Sequence, residues 1–147
     1  MKVFRSERAL ASDLDAALAL LRDAKLPEQG VSEHFANFFV VRDAGRVAGV
    51  CGLEVHGTYG LLRSLAVDAK YRGEGLGAAL VEDALASARG LGVTEVYLLT
   101  TTARDYFLGR GFVLCTREQA PPAIQQSWEF RLGCPEGSAF MKRGVPR

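Results

Sequence analysis

The sequence predicts an α/β chain of the α+β kind, with mostly antiparallel strands and helices set against them, in one domain over residues 1–147. Three observations predict it. Strand-like runs at 38–42, 47–55 and 61–67 follow one another across the short turns DAGR and HGTYG, which makes neighbours in sequence antiparallel neighbours in space. A glycine-rich turn, RGEGLG at 72–77, then opens a helix whose residues Leu76, Leu80, Ala84, Leu85, Ala88 and Leu91 form an apolar face. A further buried-strand run, 93–100, follows that helix.

The remaining elements fall into order around these. Residues 2–5 predict a short first strand. Ser12 is placed to cap a helix running to about residue 24, with Asp13 and Asp15 near its positive end. Leu14, Leu18 and Leu21 share one face of it, and Pro27 prevents continuation. A second short helix is expected within 28–35. Gly90 or Gly92 ends the helix that follows the glycine turn. Thr102 is expected to cap a helix over 103–109, and a strand follows at 112–116. Pro121 and Pro122 start a short helix around Ile124, a last strand covers 138–142, and 144–147 form a tail.

Composition excludes several classes of function. Of the 147 residues, 48% are hydrophobic and 24% charged, an ordinary globular mixture. A net charge of +1 supplies no bulk field for nucleic acid or membrane, and neither is expected as a partner. Three cysteines, Cys51, Cys115 and Cys134, are an odd number without paired spacing, so no disulfide framework is expected, and no Cys/His cluster suggests a metal. Asp13 and Asp15 interrupt the apolar stretch behind Lys2 and Arg5, which is not a signal peptide. No run reaches membrane-spanning length, and the cytoplasm is the expected location.

The glycine turn carries the chemistry. A helix start offers free N–H groups and the positive end of a dipole, which together attract phosphate. A nucleotide P-loop needs Lys and Ser or Thr after its last glycine, and Ala78, Ala79 and Leu80 stand beyond Gly77. A dinucleotide site fits Gly73, Gly75 and Ala78 but needs an acid at the end of the next strand, where Leu98, Leu99 and Thr100 stand. The third reading is the pyrophosphate loop of an acyl-CoA transferase. Leu65, Ala66, Val67, Tyr71, Arg72, Gly75 and Gly77 resemble the Arg-x-x-Gly-x-Gly signature of the GNAT superfamily of N-acyltransferases. A second stretch, ARDYFLGRGF at 103–112, resembles that family's AxxFYxxxGF segment. RSLAV, YRGEGLG and YLLTTTARDYF are similar to the acetyltransferase domain of N-acetylglutamate synthases. They are closer to small GNAT proteins associated with arsenic resistance, whose ending Glu129, Phe130, Cys134, Pro135, Ser138, Ala139 and Met141 resemble.

The resemblance implies a GNAT-like fold, a mixed and mostly antiparallel central sheet flanked by helices. It also implies acetyl-CoA as co-substrate, and direct transfer to an amine is expected because no Ser, Cys and His arrangement demands a covalent enzyme intermediate. Arg72, Gly73, Glu74, Gly75, Leu76, Gly77 and Ala78 would hold the pyrophosphate, with Lys70 and Arg104 either on phosphates or simply solvated. Leu65, Ala66 and Val67 would meet the pantetheine arm, and Phe107 would also contact the cofactor. The chain departs from the family twice. Tyr106 and Phe107 stand in reversed order, so Tyr106 is a candidate acid but is read first as a core aromatic. Arg63 stands where many members place a carboxylate; it cannot serve as a base, and is read as binding an acceptor's carboxylate. Strand alternation puts Arg63 on one face with Leu65 and Val67, and Ser64 opposite. Glu54, placed to approach Arg63 across the sheet, is either the base, directly or through a water, or simply the charge that neutralises Arg63, and His56 on the same face is the second base candidate. Phe35, Phe38, Tyr59 and Trp128 are pocket candidates, with the phenylalanines read as core. The expected acceptor is a small amino-acid-like amine. A regulatory CoA-binding module, a peptide or protein N-acetyltransferase and a homodimer remain open.

Overall fold

The computed structural model describes residues 3–131 and 137–146. Its strands are β1 (Ser6–Arg8), β2 (Phe38–Asp43), β3 (Arg46–His56), β4 (Tyr59–Val67), β5 (Glu95–Thr100), β6 (Val113–Cys115) and β7 (Ala139–Gly144). They form one sheet in the order β1-β2-β3-β4-β5-β7-β6. The pairs β1–β2, β2–β3, β5–β7 and β6–β7 are antiparallel, whereas β4 and β5 pair in parallel through Tyr59–Leu61 and Glu95–Tyr97. A parallel pair needs a crossover, and the long helix between them supplies it. The helices are α1 (Leu14–Asp23), α2 (Val31–His34), α3 (Leu76–Gly90), α4 (Arg104–Leu108), α5 (Pro122–Gln125) and α6 (Trp128–Arg131). The mixed, mostly antiparallel sheet with helices is the fold class expected above. None of these helices is long and apolar enough to cross a membrane.

The chain forms two compact units, Met1–Leu53 with Arg63–Ser87, and Glu54–Leu62 with Ala88–Arg147. In the first, Ala17, Leu20 and Leu21 of α1 pack with Val31, Phe35, Phe38, Val40, Val50 and Ala66, while Leu14 and Leu18 border the cluster. The apolar face of α1 is therefore centred one step round from the expected Leu14–Leu18–Leu21 line. Gly49 of β3 lets α3 settle closely, since a Cβ there would stand 3.0 Å from Leu80 Cδ1 and 3.7 Å from Leu76 Cδ2. In the second unit, Leu61, Tyr97, Ala120, Ile124 and Phe130 form the core, bordered by Tyr59, Leu99, Cys115 and Phe140.

Several element limits differ from expectation for identifiable reasons. The first strand lies at Ser6–Arg8, where residues Ser6, Glu7 and Arg8 face Val41, Val40 and Phe39. Ser12 does not cap α1. Residues Ala11–Asp13 form a 3-10 turn, and the Asp13 carboxylate accepts from Leu10 N at 2.7 Å and from Arg42. Thr100, rather than Thr102, serves the start of α4, its Oγ1 accepting from Ala103 N at 2.9 Å. The expected tail is ordered at its start: Gly144 pairs with Glu95, and Val145 N donates to Thr94 O at 2.8 Å. Cys134 and Pro135, part of the resemblance at the C-terminus, lie outside the described residues, as do the side chains of Trp128 and Glu129.

Candidate active site

The glycine loop is held from behind by three hydrogen bonds. Asp68 N donates to Ala48 O at 2.8 Å, which ties the end of β4 to β3. The Asp68 carboxylate accepts from Lys70 N at 3.0 Å and so caps the 3-10 turn Ala69–Tyr71. Tyr71 OH donates to Asp43 Oδ2 at 2.6 Å, and its ring meets Phe4 edge-on at 5.6 Å. From this anchored turn the exposed run 72–75 emerges, with φ of +82° at Gly73 and +83° at Gly75, values that only glycine adopts freely. Leu76, buried in the core, then starts α3.

This geometry fits a diphosphate. Ala79 N donates to Gly75 O at 3.2 Å, so the amides of Leu76, Gly77 and Ala78 precede the helix's own bonding ladder. They sit at the positive end of a 15-residue helix dipole. A Cβ at residue 73 or 75 would meet nothing within 4 Å, so the backbone there is open to close approach. Lys70, Arg72 and Glu74 are all exposed around it.

Upstream on β4, Ala66 points into the core while Leu65 and Val67 are half-buried. The expected alternation fails one residue earlier. Ser64 has φ of +62°, in the left-handed region, which kinks the strand. Arg63 and Ser64 therefore do not point to opposite faces: Arg63 Nε donates to Ser64 Oγ at 3.0 Å. Arg63 Nη2 also donates to Pro27 O, in the connection between α1 and α2, at 3.3 Å. Both side chains are buried, with Arg63 only 4% exposed.

In the second unit, Glu54 Oε1 lies 2.9 Å from His56 Nε2, which agrees with the shared face expected for the two residues. Arg63 belongs to the first unit and Glu54 to the second, where Glu54 pairs with His56. Tyr106 is not the core aromatic expected of it. It is 36% exposed, and the Arg110 guanidinium covers its ring at 4.9 Å. Phe107 takes the inward place, 6% exposed against Phe112 at 5.5 Å. Arg104 is exposed at the start of α4. Phe35 and Phe38 are buried core residues, whereas Tyr59 is half-buried against Tyr97. Burial pushes the Cys51 thiol up to about 12 and raises that of Cys115, so neither is poised as a thiolate nucleophile. Among the described residues no group of three His, Cys, Asp or Glu could hold a metal ion.

Three supports of this region went unread in the sequence. Asp43 looks like an ordinary hairpin residue, and its bond to Tyr71 joins positions 28 apart. The Pro27 carbonyl is a backbone group with no sequence signal. Ser64 carries a conformation for which Gly or Asn is the usual marker.

Against known proteins, residues 5–112 match the model of the "Acetyltransferase (GNAT) family". An uncharacterized N-acetyltransferase of Chlorobaculum tepidum is 34% identical over 113 residues, covering 76% of this chain and 70% of that protein. An amino-acid acetyltransferase of Neisseria meningitidis is 26% identical over 132 residues, covering 82% of this chain but 30% of the relative. Among solved structures, N-acetylglutamate synthase from Neisseria gonorrhoeae, complexed with coenzyme A and N-acetyl-glutamate, superposes with a TM-score of 0.86 at 20% identity, covering all of this chain and 36% of that one. The chain thus spans about a third of the length of these two larger Neisseria proteins.

Proposed function

The chain belongs to the acetyltransferase (GNAT) family, with acetyl-CoA as co-substrate, and from that premise we propose that its acceptor is the amino group of a small, carboxylate-bearing molecule resembling an amino acid. The observation that carries the reading is the similarity to amino-acid acetyltransferases over most of the chain. Arg63 supports it chemically. Its guanidinium is a planar fork of donors that matches a carboxylate, and it stands on the same strand as Leu65, Ala66 and Val67.

In this reading the amides from Arg72 to Ala78 hold the pyrophosphate. The backbone of Leu65, Ala66 and Val67 pairs with the pantetheine arm, and one of its N–H groups polarises the thioester oxygen. Phe107 backs the cofactor from the core. Arg63 receives the acceptor's carboxylate, and Glu54 takes a proton from its ammonium. The amine nitrogen then bonds to the acetyl carbon as the C–S bond breaks, and the nitrogen gives its second proton to water as the amide forms. The sulfur leaves as a thiolate that takes a proton from water, either directly or through Tyr106, which water then reprotonates. The proposed setting is the cytoplasm, and toxic amino acids containing arsenic or phosphorus are acceptors within the proposed class.

Release of CoA thiol from acetyl-CoA tests the proposal. The acceptor panel holds amino acids, their arsenic- and phosphorus-containing analogues, and the matching decarboxylated amines. Release is expected only with carboxylate- or oxyanion-bearing acceptors. Arg63→Ala is expected to raise the acceptor KM far more than the acetyl-CoA KM. Equal turnover of decarboxylated amines would remove the carboxylate from the reading.

A further inference from the structure

Glu54 is poorly placed to shed a proton. The residue is 3% exposed, and a carboxylate that gains a proton in each turnover must lose it before the next. His56, which pairs with it, is better placed. His56 Nε2 lies 2.9 Å from Glu54 Oε1, and the imidazole side chain is 23% exposed where the carboxylate is 4% exposed. The two residues alternate along β3, so their side chains share a face, and His56 is the last residue of the strand. Imidazole accepts at one ring nitrogen and donates from the other near neutral pH, which suits it to pass a proton outward.

We infer that His56 is the outlet for the proton that Glu54 removes from the acceptor. The inference rests on the proposed role of Glu54 as base and extends it by one residue. An ammonium N–H bond breaks as an O–H bond forms on Glu54, and the freed amine lone pair attacks the acetyl carbon. The Glu54 O–H bond then breaks as a bond forms to His56 Nε2, and the resulting imidazolium loses its Nδ1 proton to water. Exchange with solvent returns the ring to its starting tautomer. No oxidation state changes; the nitrogen's second proton balances the one that the thiolate takes up, so the net product is one proton in bulk water per acetyl transferred. His56 never touches the acceptor in this scheme, so it is a positioning and relay residue.

The test uses the full chain carrying His56→Ala, His56→Gln or Glu54→Gln, assayed for CoA release with an acceptor that wild type turns over. His56→Ala leaves room for free imidazole, and His56→Gln preserves a donor toward Glu54 without an exchangeable ring proton. Both are expected to lower kcat at least about tenfold with both KM values nearly unchanged. Added imidazole is expected to recover the His56→Ala rate in a concentration-dependent way. An unchanged kcat in either His56 variant overturns the inference. So does a lost kcat in folded His56→Ala that imidazole fails to restore, since a purely structural pair behaves that way. Glu54→Gln with full activity overturns the relay at its first step while leaving acetyl transfer intact. A wild-type chain that releases no thiol with any amine overturns the proposed function, and the relay with it.

Discussion

Ser64 holds φ of +62° without glycine's freedom to do so, and it is 7% exposed. A left-handed conformation costs an L-residue about 1–2 kcal/mol. The compensation visible at this position is the hydroxyl, which accepts from buried Arg63 at 3.0 Å. Hydrogen bonds to charged groups contribute about 1.5–3 kcal/mol, so the bond can outweigh the strain. Two substitutions separate the terms, because both remove the hydroxyl but only one keeps the Cβ. Ser64→Gly is expected to be more stable than Ser64→Ala by about 1–2 kcal/mol in urea denaturation. Ordinary strand positions show the reverse order, with Gly about 0.5–1 kcal/mol worse than Ala. Finding that ordinary order at residue 64 would mean the kink is not a property of the folded chain.

At the scale of elements, the joint between β4 and α3 determines what the loop can hold. Gly49 admits Leu80, Leu76 starts the helix in the core, and Gly75 turns the chain so that three amides face outward. Gly75→Val is expected to weaken CoA binding at least tenfold, about 1.4 kcal/mol, by setting a branched side chain over the amides. Valine at a positive φ also costs stability, so a control is needed. Gly45, in the turn between β2 and β3, has φ of +81° and equally open surroundings. Gly45→Val should lose similar stability in thermal denaturation and bind CoA normally by calorimetry. Equal affinity losses in both would assign the effect to backbone strain. The joint was legible in the sequence because its glycines answer a local backbone demand and its leucines keep the helical period. The kink at Ser64 was not, because serine gives no local sign of a left-handed residue. The order of Tyr106 and Phe107 was visible, but their orientations follow from a helix of only five residues, Arg104–Leu108, that turns Phe107 onto Phe112. Ser12 looked like the cap of α1 because short polar residues favour that place; Asp13 took up the region's bonding through Arg42, a partner 29 positions away.

At the scale of the whole molecule, 18 basic and 17 acidic side chains nearly cancel, so net charge supplies little self-repulsion at neutral pH. Acid stability then depends on particular carboxylates, and Asp13 is the clearest. It is 8% exposed, and its two oxygens receive Arg42 Nε, Arg42 Nη2 and Leu10 N. Arg42 also reaches Glu7 Oε2 at 2.6 Å, so one guanidinium clips β1, the turn before α1, and β2 together. Burial alone would raise the Asp13 pKa, but the hydrogen bonds from Arg42 and Leu10 and the Arg42 charge together leave it lowered. A carboxyl lowered on folding binds its proton less readily in the native state than in the unfolded chain. Its contribution is therefore complete above the unfolded value, about 3.9, and is lost as pH falls through the lower folded value. Asp13→Asn is expected to cost about 1.5–3 kcal/mol at pH 7, the worth of hydrogen bonds to a charged partner. Below about pH 4 the wild-type and variant stability curves should converge, because protonated Asp13 no longer pairs with Arg42 as an ion. Urea midpoints measured from pH 2 to 7 would show it. A gap between the two proteins that stays constant down to pH 2 would mean Asp13 contributes through packing and hydrogen bonding alone, without its charge.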